Sequence, residues 1–460
     1  MAGFFSRERS VAHNGYNRWL IPPAALAVHL CIGQVYAFSV FKEPLTRLIG
    51  ITESMPDDWK QSTVGWIYSL AIVFLGLSAA FGGKWLEKVG PRRTMFTAAC
   101  FFGGGFMISA LGIHLHQIWM LYVGYGVLGG CGLGLGYVSP VSTLIKWFPD
   151  RRGMATGMAI MGFGGGAMIG APLGVSLMKC FQTATSVGVM ETFVVMGILY
   201  FISMTIGSLA IRVPPEDWKP AGWVPPEETR SMVTRHHVHI DEALKTPQFY
   251  LLWLILCLNV TAGIGIIGQA SPLIQEMFKG AVSPEAAAGF VGLLSIFNMG
   301  GRFVWSSASD FLGRKKTYFV FFTLGAILYT MLPHFAGQGN LVMFVASAVI
   351  ILSMYGGGFA TIPAYLADIF GTKYVGGIHG RLLTAWSTAG VLGTVLVDYI
   401  REYQLDHGVA KADAYTVTMY IMASLLVVGF ICNFLMKAVN EKHYMTEAEL
   451  NAAVPDHSGH

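Results

Sequence analysis

The chemistry in this sequence is concentrated at Arg302, which lies inside the apolar run Phe290-Val291-Gly292-Leu293-Leu294-Ser295-Ile296-Phe297-Asn298-Met299-Gly300-Gly301-Arg302-Phe303-Val304-Trp305. The stretch from Ala286 to Ala308 is long enough to cross a bilayer as one helix, and Arg302 falls roughly 12 Å inside the end marked by Asp310. A guanidinium at that depth costs at least about 2.5 to 3.5 kcal/mol to insert and persists only where something polar receives it. The acids offer no partner: Glu43, Glu191, Glu276, Asp368 and Asp398 all sit near the ends of apolar segments. The partner of Arg302 is therefore an anionic substrate, or the side chain snorkels or pairs with backbone carbonyls. Other chemistry is sparse. His29 is the only other titratable group well inside a span, seven residues before Tyr36 and so on the same helix face; it is a possible proton site or a satisfied core histidine. Tyr36 on the first span and Tyr137 on the fourth are aromatic hydroxyls able to close a pocket on a small anion, or simply packed core residues. His379 and Arg381 begin the eleventh span and are candidates for its inner mouth.

The elements that must hold these residues are membrane helices. Hydrophobic residues make up 54% of the chain and charged residues 12%, about half the charged share of a soluble domain. The net charge of +4 is spread over short loops, which excludes a nucleic-acid-binding patch and acts instead as a topology signal. The six cysteines lie in or beside apolar segments without CxxC spacing, so neither a disulfide framework nor a zinc site is indicated. The histidines of His236-His237-Val238-His239 lack carboxylate or cysteine partners and are expected in a solvated loop rather than a metal site. No metal and no cofactor are expected.

Twelve spans are predicted, near 19–41, 63–83, 94–113, 118–140, 153–178, 191–212, 249–273, 286–308, 317–336, 341–366, 376–399 and 414–437. With both termini in the cytoplasm, about 22 Lys and Arg fall on inner segments and about 7 on outer ones, which sets that orientation. The Pro-rich stretch 214–248 is a cytoplasmic linker between an N-terminal six-helix half (1–213) and a C-terminal one (249–437), and 438–460 is a polar cytoplasmic tail expected to be partly disordered. At a shift of 223 residues Glu87 falls on Asp310, Gly90 on Gly313, Arg92 on Lys315, Pro140 on Pro363 and Gly157 on Gly380. The halves are repeats, which places a site between them and implies rocking of one half on the other. Gly124-Tyr125-Gly126-Val127-Leu128-Gly129 fits a dinucleotide GxGxxG but has no strand before it and lies in a span. Gly126, Gly130 and Gly134, and likewise Gly162, Gly166 and Gly170, form small-residue stripes expected to permit helix sliding.

Gly83-Lys84-Trp85-Leu86-Glu87-Lys88-Val89-Gly90-Pro91-Arg92-Arg93, with its echo Asp310-Phe311-Leu312-Gly313-Arg314-Lys315-Lys316, resembles the loop between helices 2 and 3 of major facilitator superfamily transporters. That resemblance implies an all-α membrane protein of major facilitator fold, with Glu87, Arg92, Asp310 and Arg314 as gating residues. Gly33-Gln34-Val35-Tyr36-Ala37-Phe38-Ser39-Val40-Phe41, Trp147-Phe148-Pro149-Asp150-Arg151-Arg152-Gly153-Met154-Ala155-Thr156-Gly157, Glu242-Ala243-Leu244-Lys245-Thr246-Pro247-Gln248-Phe249-Tyr250 and His379-Gly380-Arg381-Leu382-Leu383-Thr384-Ala385-Trp386 are similar to the oxalate:formate antiporter family, relatives of the monocarboxylate transporters. In those groups the helix 8 arginine binds carboxylate, and it maps onto Arg302. The lysine that complements oxalate's second carboxylate maps at or beside Trp386. The aspartate of proton-coupled relatives maps onto Asn298, and their helix 1 lysine maps near Val40. These charges are absent here.

The expectation is thus a secondary transporter, not an enzyme, in the plasma or bacterial inner membrane. It is expected to be a monomer and to move a small monocarboxylate such as formate, lactate or pyruvate by exchange or with a proton. Its substrate-binding residues are Arg302, Tyr36, Tyr137, Asn298, Trp386 and Gln34. An oxalate:formate exchanger proper, or a carrier of larger organic anions, is the alternative.

Overall fold

The computed structural model describes residues 8–13, 15–215, 218–224, 232–446 and 449–450, with a few side chains inside helices also left undescribed. Parts of the 214–248 linker (216–217 and 225–231) and of the 438–460 tail (447–448 and 451–460) lie outside the described residues.

Twelve long helical segments are present among the described residues. In chain order they are α1 (Ile21–Ile32, continued by a 3-10 stretch Gly33–Ala37), α2 (Gln61–Val89), α3 (Pro91–His114), α4 (Ile118–Trp147), α5 (Arg152–Phe181) and α6 (Val189–Ala210). The second half comprises α7 (Pro247–Met277), α8 (Pro284–Leu312), α9 (Arg314–Gly337), α10 (Leu341–Phe370), α11 (Val375–Leu382, resuming as Thr384–Asp406) and α12 (Thr416–Leu435). Ten of these are long and apolar enough to span a bilayer; α8, which carries Arg302 and Asp310, and α11, broken at Leu383, are the two that fall short. Several helices run to the ends of their flanking signals: α4 and α10 continue to Trp147 and Phe370, past the apolar cores at 140 and 366. The GxGxxG stretch forms a π-helical segment, Tyr122–Gly129, within α4, so its glycines serve helix packing.

The repeat visible in the sequence is built into the turns. Gly90 (φ 85°) ends α2 and Gly313 (φ 88°) ends α8, both in the left-handed region where a Cβ is penalised. The glycine stripes work differently from expectation. Gly126, Gly130 and Gly134 pack α4 on Leu70, Ala71, Ser78 and Ala79 of α2, and Gly162, Gly166 and Gly170 pack α5 on Leu26, Leu30, Gly33 and Gln34 of α1. Both stripes therefore weld the N-terminal half together. The glycines facing across the halves are others: Gly153 and Gly157 against α8, Gly376 near Glu87, and Gly380 against α2.

One face of the bundle, the linker face, collects the first and last described segments and the described parts of the linker. Residues 10–12 pair with Val213 at the end of α6. Val238 donates to Phe370 O and forms a bridge with Tyr444, so the start of the tail is docked rather than free. The histidine cluster is docked too: His236 stacks on Tyr444, and His237 Nδ1 accepts from the Lys373 backbone N–H at 3.5 Å.

Candidate functional site

Arg302 sits about ten residues from the Leu312 end of α8, roughly 15 Å along the axis, and is fully buried (0%). Glycine packing creates the position: a Cβ on Gly157 would strike Ser306 and the Arg302 carbonyl, so α5 can approach α8 only because that residue has no side chain. The guanidinium donates from Nε to Asn298 Oδ1 at 3.3 Å, one turn back on the same helix, and from Nη1 to Ile160 O of α5 at 3.4 Å. Both bonds are long, and Nη2 is buried with no hydrogen-bond partner. Among the described residues no carboxylate forms an ion pair with it.

Aromatic rings wall the charge. Arg302 Cζ is 5.4 Å from the Phe359 ring centre and 5.8 Å from that of Phe163. Trp386, 1% exposed, lies 4.5 Å from Phe359 and 5.3 Å from Phe163, ring centre to ring centre. Tyr137 packs at 5.7 Å against each of Phe163, Phe359 and Trp386, and Tyr36 at 5.1 Å against Phe163. The hydroxyls of Tyr36, Tyr137 and Tyr355 are buried and none makes a well-formed hydrogen bond; those of Tyr36 and Tyr355 lie beside each other, and that of Tyr36 beside Arg302, at the edge of bonding range. An incompletely satisfied guanidinium and three hydroxyls without a well-formed hydrogen bond make this aromatic chamber rich in donors, with phenolic oxygens as the acceptors beside them. Leaving such groups buried and unmade costs about 1 to 3 kcal/mol each. A small anion has the chemistry to complete such a site; cation–π contact with the rings offsets the deficit only in part, by about 0.5 to 2 kcal/mol.

Of the residues singled out in the sequence, Arg302, Asn298, Tyr36, Tyr137 and Trp386 are brought together. Gln34 is not. Its Oε1 accepts from Tyr125 at 3.0 Å on the far side of α1, inside the N-terminal half. Two residues along a helix point to nearly opposite faces, so Tyr36 turned toward Arg302 sends Gln34 away. His29 lies behind the chamber wall, its ring stacked on Tyr137 at 5.2 Å, with Nδ1 2.7 Å from Ala159 O and Nε2 3.2 Å from Tyr137 O. A neutral imidazole can donate to only one of these carbonyls. Phe163, Phe359 and Tyr355 were missed by the sequence reading, since an aromatic in an apolar span carries no signal of which way it faces. Phe163 alone could have been found, as the repeat partner of Trp386.

The residues expected to gate, Glu87, Arg92, Asp310 and Arg314, lie on the linker face. The Asp310 carboxylate accepts the Gly153 and Met154 backbone N–H groups at 2.8 and 2.9 Å, capping the start of α5 from the opposite half, and pairs with Arg314 at 2.6 Å. Arg314 also meets Asp368 at 3.0 Å, and Asp368 meets Arg152 of the N-terminal half at 2.8 Å. Glu87 pairs with Lys146 at 3.1 Å, while Arg92 is buried at the start of α3 near Arg212. Arg152 and Asp368 were not assigned to the gate from sequence. Deeper contacts between the halves include Thr156 Oγ1 to Ala360 O at 2.9 Å and Ser387 Oγ to Ile72 O at 2.8 Å. Asp241, in a short helix of the linker (Ile240–Ala243), is held down to about pKa 2 by its bonds to Arg381 and Lys84.

Comparison with known proteins agrees with this architecture. The sequence profile of the Major Facilitator Superfamily matches residues 20–394. The oxalate:formate antiporter of Oxalobacter formigenes is 27% identical over 82% of this chain and 83% of its own. Apicoplast pyruvate carrier 1 of Toxoplasma gondii is 23% identical over 77% and 78%, and human monocarboxylate transporter 11 is 23% identical over 89% and 81%. Among solved structures, the proton:xylose symporter XylE bound to 6-bromo-6-deoxy-D-glucose superposes with a TM-score of 0.67 at 16% identity, covering 96% of this chain and 99% of that one. FucP in its outward conformation gives 0.61 at 14% identity over 90% and 98%. These structural likenesses speak to the fold alone.

Proposed function

This chain belongs to the Major Facilitator Superfamily and is a transporter rather than an enzyme; we propose that its cargo is a small monocarboxylate, such as formate, lactate or pyruvate, seated on Arg302. The observation that carries this reading is the fully buried Arg302, which has no carboxylate partner among the described residues and whose Nη2 makes no well-formed hydrogen bond. The planar fork of a guanidinium matches the two oxygens of a carboxylate. One cation suits one negative charge, and the wall opposite is the uncharged indole of Trp386, which favours a monocarboxylate over oxalate. The names of the antiporter and pyruvate-carrier relatives support small carboxylates as a class, formate and pyruvate with one carboxylate and oxalate with two.

In this reading the cargo travels by alternating access. The chamber is sealed from solvent here, so release requires the halves to part on one side. The linker face is assigned to the cytoplasm from its excess of basic residues. A cysteine placed at Lys219 that reacted with an impermeant reagent outside sealed cells would reverse that orientation.

The test is counterflow and uptake in proteoliposomes. Arg302→Gln is expected to abolish carboxylate uptake while the purified protein keeps its size-exclusion profile, and Arg302→Lys to recover little, because a point charge lacks the fork. Uptake near the wild-type rate in the Gln variant would remove Arg302 from the site. Repeating the assay with and without an inward proton gradient separates exchange from proton symport.

A further inference from the structure

One cavity in the protein is not lined by Arg302. It measures about 610 Å³ and lies on the linker face, where α2 of one half meets α7 and α11 of the other. Phe81, Tyr250, Trp253 and Leu244 supply an apolar wall. Phe81 is 80% exposed and Tyr250 56%, so this wall reaches the surface of the bundle rather than being closed inside it. Trp253 is fixed by an Nε1 bond to Thr384 at 2.9 Å. At the outer rim two cations from opposite halves converge: Lys84 Nζ and Arg381 Nη2 reach the same carboxylate, Asp241 of the linker, at 2.9 and 2.6 Å. Two positive charges share one negative one, at the end of the helices where lipid headgroups lie.

We propose that this crevice is a binding site for an anionic phospholipid of the linker-side leaflet. An acyl chain lies along Phe81, Tyr250 and Trp253, and the headgroup phosphate bridges Lys84 and Arg381 in place of the Asp241 carboxylate. A soluble anion would use the rim and leave the apolar wall uncovered; a zwitterionic lipid would use the wall and gain little at the rim. Basic pockets between membrane helices are recognition sites for anionic headgroups. Because Lys84 and Arg381 belong to different halves, the bound lipid ties the halves together while freeing the linker. The site is independent of what Arg302 carries.

The test is photo-crosslinking of full-length protein in proteoliposomes with photoactivatable phosphatidylglycerol or photoactivatable phosphatidylcholine, mapped by mass spectrometry. The glycerol lipid is expected to label the α7 segment around Tyr250 and Trp253 in preference to the choline lipid, by about five-fold for each basic residue engaged. Asp241→Asn, which removes the internal competitor, is expected to raise that preference; Lys84→Gln combined with Arg381→Gln is expected to bring the two lipids level. The opposite signs guard against a variant that merely misfolds. Equal labelling of wild type by both lipids would overturn the proposal, as would a preference unchanged in both variants or labelling abolished by inorganic phosphate alone.

Discussion

Two interfaces join the halves, and the repeat makes them equivalent: α5 on α8, and α11 on α2. The correspondence holds residue by residue at the same shift of 223. Gly157 packs on Arg302 and Ser306; its counterpart Gly380 packs on Ala79 and Gly83, which are the counterparts of Arg302 and Ser306. Gly153 lies by Asp310, and its counterpart Gly376 lies by Glu87. The backbones are thus near copies while the chemistry is not. Where α8 carries a guanidinium α2 carries a methyl group, and where α5 presents Phe163 α11 presents Trp386. The gate is equally lopsided: Arg152, Arg314 and Asp368 correspond to Val375, Pro91 and Ile145. One interface holds the buried charge and the buried ion-pair network; the other is neutral at the depth of Ala79 and Trp386 and carries its charges, Lys84 and Arg381 on Asp241, only at its more exposed linker end. A duplicated scaffold needs two equivalent sliding surfaces but only one binding charge.

The sharpest way to break this comparison is to charge the neutral side. Trp386→Lys puts a second cation across the chamber from Arg302, complementing a second carboxylate. Burying an unpaired carboxylate costs several kcal/mol, so competition in counterflow is expected to shift toward oxalate over lactate by a factor of about a hundred or more, with a lower overall rate from lost packing. Tight oxalate binding by the wild type, unchanged in the variant, would mean the second charge is supplied elsewhere.

The gates provide a smaller contrast. Asp310 accepts two backbone N–H groups from the opposite half and pairs with buried Arg314, and hydrogen bonds to charged groups are worth about 1.5 to 3 kcal/mol. The Glu87–Lys146 pair stays within one half, with Lys146 28% exposed, and pairs of that kind contribute about 0.2 to 1 kcal/mol. Asp310→Asn should therefore raise the reactivity of a cysteine placed at Ser306 by roughly ten-fold, and Glu87→Gln by no more than about five-fold. Equal effects would make the gate symmetric after all.

The smallest expected effect concerns the linker. Burial, and then the charge of Lys373, push the His237 imidazole down to about pKa 4. Docking that opposes protonation is at full strength above about pH 6.5, the value of a free histidine, and is lost as pH falls from there through about 4. Protection factors around residues 236–240, with the intrinsic pH dependence of amide exchange divided out, should be high at neutral pH and lower near pH 5. Protection factors equal at both pH values would detach His237 from the docking.

The fold was legible because its signals are redundant. Twelve apolar runs, the basic-residue bias and the repeated Gly90 and Gly313 turns each point to the same bundle, and Arg302 stood out because a buried charge is costly wherever it faces. What the sequence left open is rotation about each helix axis. Nothing local says that Tyr36 faces Arg302 while Gln34 faces Tyr125, or that the long glycine stripes face inward to their own half and Gly157 and Gly380 face across. Arg152 and Asp368 look like ordinary helix-end charges until the halves are docked. Such facts belong to tertiary packing, which side-chain periodicity in a helix apolar on all sides does not encode.

The central claim is that Arg302 is the seat of a carboxylate, and isothermal titration of purified protein with lactate and formate tests it most directly. The account predicts saturable one-to-one binding by the wild type, none by Arg302→Gln, and weak binding at most by Arg302→Lys. Binding of the same stoichiometry and similar affinity in Arg302→Gln would contradict it.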